Sequence, residues 1–178
     1  MTALLMTKFK KEIFVFADGR VTRNMTIQTD KCKKIFEAAN GTIIASAGDV
    51  GAEFDFISGM NNNMLDKPYL STLQGSGLFL VANKKNFMEY EYDNTKPLTK
   101  DNEDLNYTNI TISTFNFEEG PIAGGCGGDG VLMAYKALKA DKAQTRKQYI
   151  DLVREAFKVN ASVNVFCSEL FMFKTIKL

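Results

Sequence analysis

The sequence predicts an α+β fold in which two antiparallel sheets pack face to face and helices cover their outer surfaces. Short apolar runs of strand length begin and end the chain, and stretches of helical periodicity separate the groups of strands. That order of elements buries its apolar faces when two sheets pack together with helices outside. The chain has 178 residues, of which 45% are apolar, so we expect one domain that spans residues 1–178.

Hairpins are predicted for the first part of the chain. Apolar runs at residues 3–6 and 13–16 flank a lysine-rich turn, a pattern typical of two paired strands. Residues 32–38 and 42–47 predict a second pair, because an Asn-Gly dipeptide at residues 40–41 is a strong hairpin signal.

A helix is predicted after residue 49, and polar residues 61–63 and then Pro68 end it. We expect its apolar face to cover one of the sheets. The residues that recur at helical spacing on that face are Val50, Phe54, Ile57 and Met60 or Met64. The following stretch, residues 65–75, is too short and polar for a second long helix.

The middle of the chain predicts a hairpin of residues 77–83 and 86–92, and a further strand at 110–115. A polar stretch rich in Asp, Asn, Lys and Thr separates them, at residues 93–108. We interpret this stretch as a surface insertion or long loop.

The last third of the chain predicts two helices, at residues 131–140 and 145–159, after a glycine-rich turn at 124–130. Two apolar runs, at 162–166 and 170–176, then predict paired strands. The residues expected on one face of the second helix are Tyr149, Val153 and Phe157.

The composition argues against several classes of function. A formal net charge of +1 gives no reason to expect nucleic acid or an anionic membrane as a partner. Lysines interrupt the apolar N-terminus, so it resembles neither a signal peptide nor a membrane span. The three cysteines (Cys32, Cys126 and Cys167) form no CxxC pair, which favours a reducing cytoplasm over a disulfide framework.

The chain contains no histidine. This removes the commonest general base and the usual Ser/His and Cys/His nucleophile pairs, and it argues against a zinc site. Any hydrolase with this sequence therefore needs a different base.

Thr2 is followed by Asp18, Lys34 and Gly48 at separations of 16, 32 and 46 residues. Each of these residues alone has an ordinary interpretation. Thr after Met is a common start of a chain, Asp-Gly is a hairpin turn, and a lysine pair usually lies on a solvated strand edge. Only their joint spacing indicates a site.

At these positions the sequence resembles proteasome β-subunits and HslV-type peptidases. Those chains carry an N-terminal Thr, an (A/G)DG(R/Q)xT segment, a Lys and an Ala-Gly pair at matching separations, and the segment here is residues 17–22. The turn at residues 125–128 is similar to the family's Gly-Ser-Gly-Gly turn, and residues 162–166 to its late strand. The resemblance implies a four-layer αββα sandwich, the fold of N-terminal-nucleophile hydrolases.

The chemistry that the resemblance implies needs no histidine. Once Met1 is removed, Thr2 offers a hydroxyl nucleophile and an α-amine, whose ordinary pKa of about 8 lets it accept the hydroxyl proton near neutral pH. Lys34 would favour the deprotonated hydroxyl, and Asp18 would hold that lysine charged and oriented. The backbone N–H of Gly48 would stabilise the tetrahedral oxyanion.

The resemblance also implies how substrate binds. Substrate would lie as an added strand between the segments that hold Thr22 and Gly48. We expect unfolded protein or peptide substrates, a homo-oligomeric ring or double ring, and an AAA+ unfoldase as partner. No cofactor is required; a monovalent cation near the segment from Ala161 to Asn164 is the one ion that the resemblance allows. The expected substrate-binding residues are Thr22, Cys32, Phe36, Ser46 and Ala47.

Three features depart from the family pattern. One is the stretch at residues 65–75, which is too short and polar for the family's usual second long helix, together with the extra insertion at residues 93–108. Cys126 replaces the serine expected to bind the N-terminal amine, and residues 157–161 lack the acidic residue and serine of the true proteasome, which favours the HslV-type branch. Cys126 as the nucleophile is a much weaker hypothesis, because no histidine can activate it. The glycine-rich turn lacks the Lys-Ser/Thr of a phosphate-binding loop.

Two alternative functions stay open at this point. The first is a proteasome-like scaffold that has lost catalysis, which Cys126, the absent second helix and the presence of Met1 in the sequence favour. The second is a hydrolase of the same superfamily that acts on small amides.

Overall fold

The computed structural model describes residues 2–23, 26–49, 51–95 and 109–178. The strands are β1 (Leu4–Phe9), β2 (Glu12–Asp18), β3 (Val21–Arg23), β4 (Thr26–Thr29), β5 (Ile35–Glu37), β6 (Ile43–Gly48), β7 (Ser76–Ala82), β8 (Phe87–Asp93), β9 (Ile110–Phe115), β10 (Ile122–Gly124) and β11 (Phe171–Lys177). The helices are α1 (Ala52–Asn61), α2 (Lys67–Leu70), α3 (Gly128–Ala137) and α4 (Arg146–Val163). Single 3-10 turns lie at Phe117–Glu119 and Ala140–Lys142.

Two antiparallel sheets form the centre of the molecule. The first sheet has the strand order β10-β1-β2-β11, and the second has the order β5-β6-β7-β8-β9. Strands β3 and β4 pair separately as a short ribbon. The hairpins predicted around residues 10 and 40 are present as β1–β2 and β5–β6, and the one around residue 84 as β7–β8.

Three apolar layers hold these elements together. Side chains of both sheets meet in the middle layer, where Leu4 and Val15 pack with Ala45 and Leu80. The first sheet buries its other face under α3 and α4, and the second sheet buries its other face under α1 and α2. The fold is therefore an αββα sandwich, as predicted.

The helix α4 follows its sequence pattern closely. Tyr149, Val153 and Phe157 are fully buried against the first sheet. The Tyr149 ring stacks on Phe9 at a centroid distance of 4.3 Å, and Phe157 stacks on Phe171 at 5.2 Å. These contacts fix the helix above the strands whose ends surround Thr2.

The prediction of a strand at residues 162–166 is wrong. Helix α4 continues to Val163, whose side chain is 79% exposed, and the chain then turns. Asn164 makes the turn, because its N–H donates to the Asn160 carbonyl and its side chain accepts from the N–H of Phe166. The free edge of β2 is taken by β11, so no hairpin forms at this end.

The predicted face of α1 is also wrong in part. Phe54 is 69% exposed, whereas Phe56 is fully buried and stacks on Phe79 at a centroid distance of 3.9 Å. The aromatic stack determines which side of the helix faces the sheet, and it moves Phe54 outward. Helix α1 begins at Ala52, and Val50 lies outside the described residues.

Strand β8 ends at Asp93, the first residue of the predicted surface insertion. The rest of that prediction, from residue 96 to 108, lies outside the described residues, and the assignment of the chain to a single domain stays a prediction. The short α2 agrees with the absence of a second long helix at residues 65–75. Among the helices described, none is long and apolar enough to cross a membrane.

Candidate active site

Thr2 lies directly before β1 and is only 6% exposed. Its carbonyl oxygen accepts a hydrogen bond of 3.0 Å from the N–H of Gly127. Gly125 packs on the same carbonyl with a φ of 73°, and a Cβ at Gly125 would collide with that oxygen. The glycine-rich turn before α3 therefore fixes the start of β1. Met1 lies outside the described residues.

Asp18 ends β2 and is fully buried beside Thr2. The β1–β2 hairpin brings it there, because its register pairs Leu4 with Ala17. One carboxylate oxygen accepts from the N–H of Ala3 at 2.9 Å, and the other accepts from the N–H of Ser168 at 3.0 Å. A buried charge needs such donors, since each unpaired polar group costs free energy.

Lys34 precedes β5 and is 5% exposed. Its ammonium group donates to Thr2 Oγ1 at 2.7 Å, to Asp18 Oδ1 at 3.0 Å and to the carbonyl of Arg20 at 2.5 Å. A lysine ammonium has three N–H donors, and each has a partner here. The structure thus brings together Thr2, Asp18 and Lys34, and it aims the lysine at the threonine hydroxyl.

Gly48 ends β6 at the rim of the cleft in front of Thr2. Its φ of 120° is one that residues with a side chain rarely adopt. A Cβ at this position would collide with the carbonyl oxygen of Ser76 and lie 2.7 Å from the Cα of Gly77. A glycine is therefore required where β6 leaves the sheet towards α1.

A cavity of about 520 Å³ opens on one side of Thr2. The predicted substrate-binding residues that line it are Thr22, Cys32, Ser46 and Ala47. Phe36 is not among its lining residues. Because Ile35 points between the sheets, Phe36 points to the outer face of the second sheet, where its ring meets Phe54 at 6.5 Å.

A second cavity, of about 350 Å³, opens on the other side of Thr2. Cys126 is exposed and lines this cavity, not the first one. Its walls include the ends of β7 and β8, and Ala47 and Gly48 separate the two cavities by lining both of them. Thr2 therefore stands between two cavities of one cleft.

A partly buried ion pair that the sequence did not predict lies beside the site, at the wall of the first cavity. Arg20 and Asp30 form a bidentate pair, with Nε–Oδ1 and Nη2–Oδ2 distances of 2.5 and 3.1 Å. The hydrogen bond from Arg20 holds the pKa of the Asp30 carboxyl below its ordinary value. Arg20 also donates to the carbonyl of Val165 at 2.6 Å, which ties the chain after α4 to the chain after β2.

Ser168 is the second missed residue. Its N–H binds Asp18, and its hydroxyl accepts from the N–H of Leu170. Arg20 lies within the segment that carries the resemblance, and a partly buried arginine usually pairs with a carboxylate. This was the one signal in the sequence for the ion pair. Nothing in the sequence separated Asp30 or Ser168 from ordinary loop residues.

Solved structures of the same fold cover nearly the whole chain. Eukaryotic HslV from Trypanosoma brucei matches with a TM-score of 0.72 at 15% identity, over 99% of this chain and 99% of that chain. The fold is that of HslV. Neither a family model nor a curated protein matches the chain by sequence.

The protein BPH from Thiobacillus denitrificans has the HslV-like fold of this chain as well. Its structure matches with a TM-score of 0.64 at 15% identity, over 100% of this chain and 98% of that one. Its complex with epoxomicin matches with a TM-score of 0.63 at 14% identity, over 100% and 99%. At these identities the likeness concerns the fold alone.

Proposed function

We propose that this chain is a threonine peptidase subunit that cleaves unfolded polypeptides, with Thr2 as nucleophile once Met1 is removed. The contact between Lys34 Nζ and Thr2 Oγ1, at 2.7 Å within a buried ion pair, is the observation that carries the proposal. Burying a lysine and a carboxylate costs free energy that apolar residues would avoid. Activation of the Thr2 hydroxyl would explain why this buried ion pair is present.

In the proposed reaction Thr2 Oγ1 attacks the carbonyl carbon of the peptide bond, and its proton passes to the α-amine of the same residue. The amine then gives this proton to the leaving nitrogen as the C–N bond breaks, which leaves an ester between Thr2 and the acyl part of the substrate. Water, deprotonated by the amine, hydrolyses the ester and restores the hydroxyl.

Lys34 and Asp18 would act by position and charge. The positive charge of Lys34 favours the oxyanion that forms as Thr2 loses its proton. Asp18 would keep the ammonium aimed at Thr2 by accepting one of its three N–H donors. The N–H of Gly48 would serve as a donor to the oxyanion of the tetrahedral intermediate, a contribution worth about 3 kcal/mol in other enzymes.

Substrate would enter as an extended segment between β6 and the ribbon that begins at Val21. The first cavity would receive the side chain before the cleaved bond, with Cys32, Ser46 and Ala47 on its wall and Thr22 on the facing segment. Two observations support this arrangement. The first cavity lies directly against Thr2, and Gly48 has no side chain that would keep the substrate backbone away. Phe36 is left out of the proposed pocket.

The assembled state is part of the same proposal. We expect a homo-oligomeric ring in the cytoplasm, with Thr2 facing an inner chamber and an AAA+ unfoldase as partner. The HslV fold and the epoxomicin complex of BPH support a peptidase of this type. No cofactor takes part in the reaction. We propose a monovalent cation near the segment from Ala161 to Asn164, because the last carbonyls of a helix lack partners within the helix.

The test compares substrates on protein whose intact mass shows a chain starting at Thr2. We expect hydrolysis of short fluorogenic peptides by this protein and at least a 1,000-fold loss, to the order of magnitude, in Thr2→Ala. Hydrolysis of simple amides in preference to peptides would instead support the small-amide hydrolase. Retention of Met1 in material from the native host, with no hydrolysis of either, would support the scaffold.

A further inference from the structure

The two cavities beside Thr2 differ in charge. The first carries charges of both signs, and two of its cations, Arg20 and Lys34, are already paired with Asp30 and Asp18. The second is acidic, with no basic residue among the described residues that line it. The charged residues of the first cavity are Arg20, Arg23, Lys33, Lys34, Asp49 and Glu53. Those of the second cavity are Glu91 and Asp93. A polypeptide that passes Thr2 would therefore meet charges of both signs on one side and only carboxylates on the other.

The acidic side comes from an unusual pattern along β8. The register pairs Glu91 with Leu78 and Glu89 with Leu80, and these leucines point between the two sheets. Since side chains alternate along a strand, Glu89, Glu91 and Asp93 share that inner face. An inner face of a sandwich is normally apolar, so a row of three carboxylates there needs another explanation.

Glu91 is available to a ligand. Its side chain is exposed, and within the described part of the chain it makes neither a hydrogen bond nor an ion pair. Asp93 already accepts from the N–H and the hydroxyl of Thr95. Burial raises the pKa of Glu89, and the negative charge of the neighbouring Glu91 adds to this shift.

We propose that Glu91, helped by Asp93, selects a cationic side chain, Lys or Arg, in the first positions after the cleaved bond. The inference rests on the proposed function: if the first cavity holds the residue before the bond, the second receives the residues after the bond. A carboxylate without a protein partner forms charge-assisted hydrogen bonds with an ammonium or guanidinium group. Glu91 is thus a residue that sets specificity and takes no part in bond cleavage.

The first experiment measures kcat/KM for three peptides that differ only in the residue after the cleaved bond: Lys, Ala or Glu. We expect the Lys peptide to exceed the Ala peptide by about three- to fivefold, the range for a partly exposed ion pair, and the Glu peptide to be poorer than both. The preference should shrink as salt rises. Glu91→Gln should remove it and Glu91→Lys should reverse it.

Glu89→Gln is the matched control. It removes a carboxylate from the same face of the same strand, but Glu89 does not line the cavity. We expect this variant to keep the preference for Lys. An equal preference in Glu91→Gln and in the unmodified protein would overturn the inference.

A second experiment works without turnover. The Thr2→Ala protein is titrated with the same three peptides, labelled with a fluorophore, and binding is followed by anisotropy. The Lys peptide should bind about three- to fivefold more tightly than the Ala peptide, and Glu91→Gln should abolish the difference. If peptides are cleaved without any charge preference, the inference fails alone. If none is cleaved while the binding preference persists, the proposed function fails alone.

Discussion

The two ends of the β1–β2 hairpin bury polar groups in very different ways. Both ends lie beside the aromatic layer under α3 and α4. At one end a charged pair is tied to the nucleophile candidate by short hydrogen bonds. At the other end only neutral hydroxyls are buried. We call the first the site end, formed by Thr2, Asp18 and Lys34, and the second the far end, formed by Thr7, Tyr135 and Tyr149.

The hydrogen bonding of the two ends differs as much as their charge. The Lys34 ammonium has three close acceptors, whereas the Thr7 and Tyr135 oxygens are 3.4 Å apart. The Tyr149 hydroxyl is buried close to Thr7 and Tyr135, and within the described part of the chain it makes no hydrogen bond of normal geometry. Removing one partner at the site end should therefore lower the free energy of unfolding strongly. Removing a hydroxyl at the far end should change it little.

The largest effect is expected from Lys34→Met. This variant leaves the Asp18 carboxylate buried without its cation, which should lower the free energy of unfolding by about 3–5 kcal/mol. Peptide hydrolysis should fall by about 10³-fold or more, because Thr2 loses its charged neighbour. Urea unfolding and fluorogenic peptide assays measure the two effects.

Lys33→Met is the control for stability. Lys33 is the neighbouring lysine, but it is exposed and lies over the Phe36 ring, so its loss should cost no more than about 0.5 kcal/mol. The double variant Lys34→Met with Asp18→Asn should cost less than the sum of the two single variants, since both act on one pair. Equal effects of the two lysine variants would break the comparison.

A smaller, pH-dependent effect is expected from Arg20→Gln, beside the site end. The Asp30 pKa is lowered in the folded state, so the pair stabilises the fold above the ordinary carboxyl pKa of about 3.9 and loses that contribution as pH falls through the lower folded-state value. Asp30 is partly exposed, which limits the contribution to about 1 kcal/mol.

Thermal unfolding between pH 2 and pH 7 measures this effect. The melting curves of Arg20→Gln and the unmodified protein should differ at pH 7 and converge at the acid end. A difference that stays constant with pH would show that Arg20 acts through its bond to the Val165 carbonyl, not through Asp30.

The smallest effect is expected at the far end, from Tyr149→Phe. Removing a buried hydroxyl that makes no hydrogen bond of normal geometry should change the free energy of unfolding by less than about 1 kcal/mol. Burial raises the pKa of Tyr149, so the tyrosine stays neutral in the folded state and the protein loses stability as pH rises above about 10. Tyr149→Phe should weaken that alkaline loss.

Urea unfolding at pH 7 and pH 10.5 tests this last prediction. Part of the alkaline loss should persist in the variant, because burial also raises the pKa of Tyr92 to about 12. Peptide hydrolysis should not change, since Tyr149 lies at the far end. A loss of stability as large as that of Lys34→Met would remove the distinction between the two ends.

The spacing of Thr2, Asp18 and Lys34, together with the family resemblance, predicted which residues meet at the site end. Asp18 lies beside Thr2 because the β1–β2 hairpin pairs the residues next to them. Lys34 reaches both residues because β5, which begins at the next residue, starts beside them. Supporting residues such as Ser168 could not be predicted, because they act through backbone N–H groups that any residue carries. Phe36 was assigned to the substrate pocket from the family resemblance alone. The alternation of side chains along β5 places it on the outer face of the second sheet instead.

The errors in the fold have a common physical origin. Short apolar runs near residue 163 and on α1 fit more than one element or face, and contacts distant in sequence decided between them. Phe56, and not Phe54, faces the sheet because its ring stacks on Phe79. Elements with both a period and a turn signal, such as the hairpin around residues 40–41, were predicted correctly.

Covalent labelling of Thr2 tests the central claim most directly. Met1-free protein in its assembled state is incubated with epoxomicin, the ligand in the BPH complex, and adducts are mapped by peptide mass spectrometry. We expect one adduct on the peptide that begins with Thr2, its loss in Thr2→Ala and a strong decrease in Lys34→Met. An unlabelled Thr2, or an adduct at Cys126 instead, would contradict the role of Thr2 as the nucleophile.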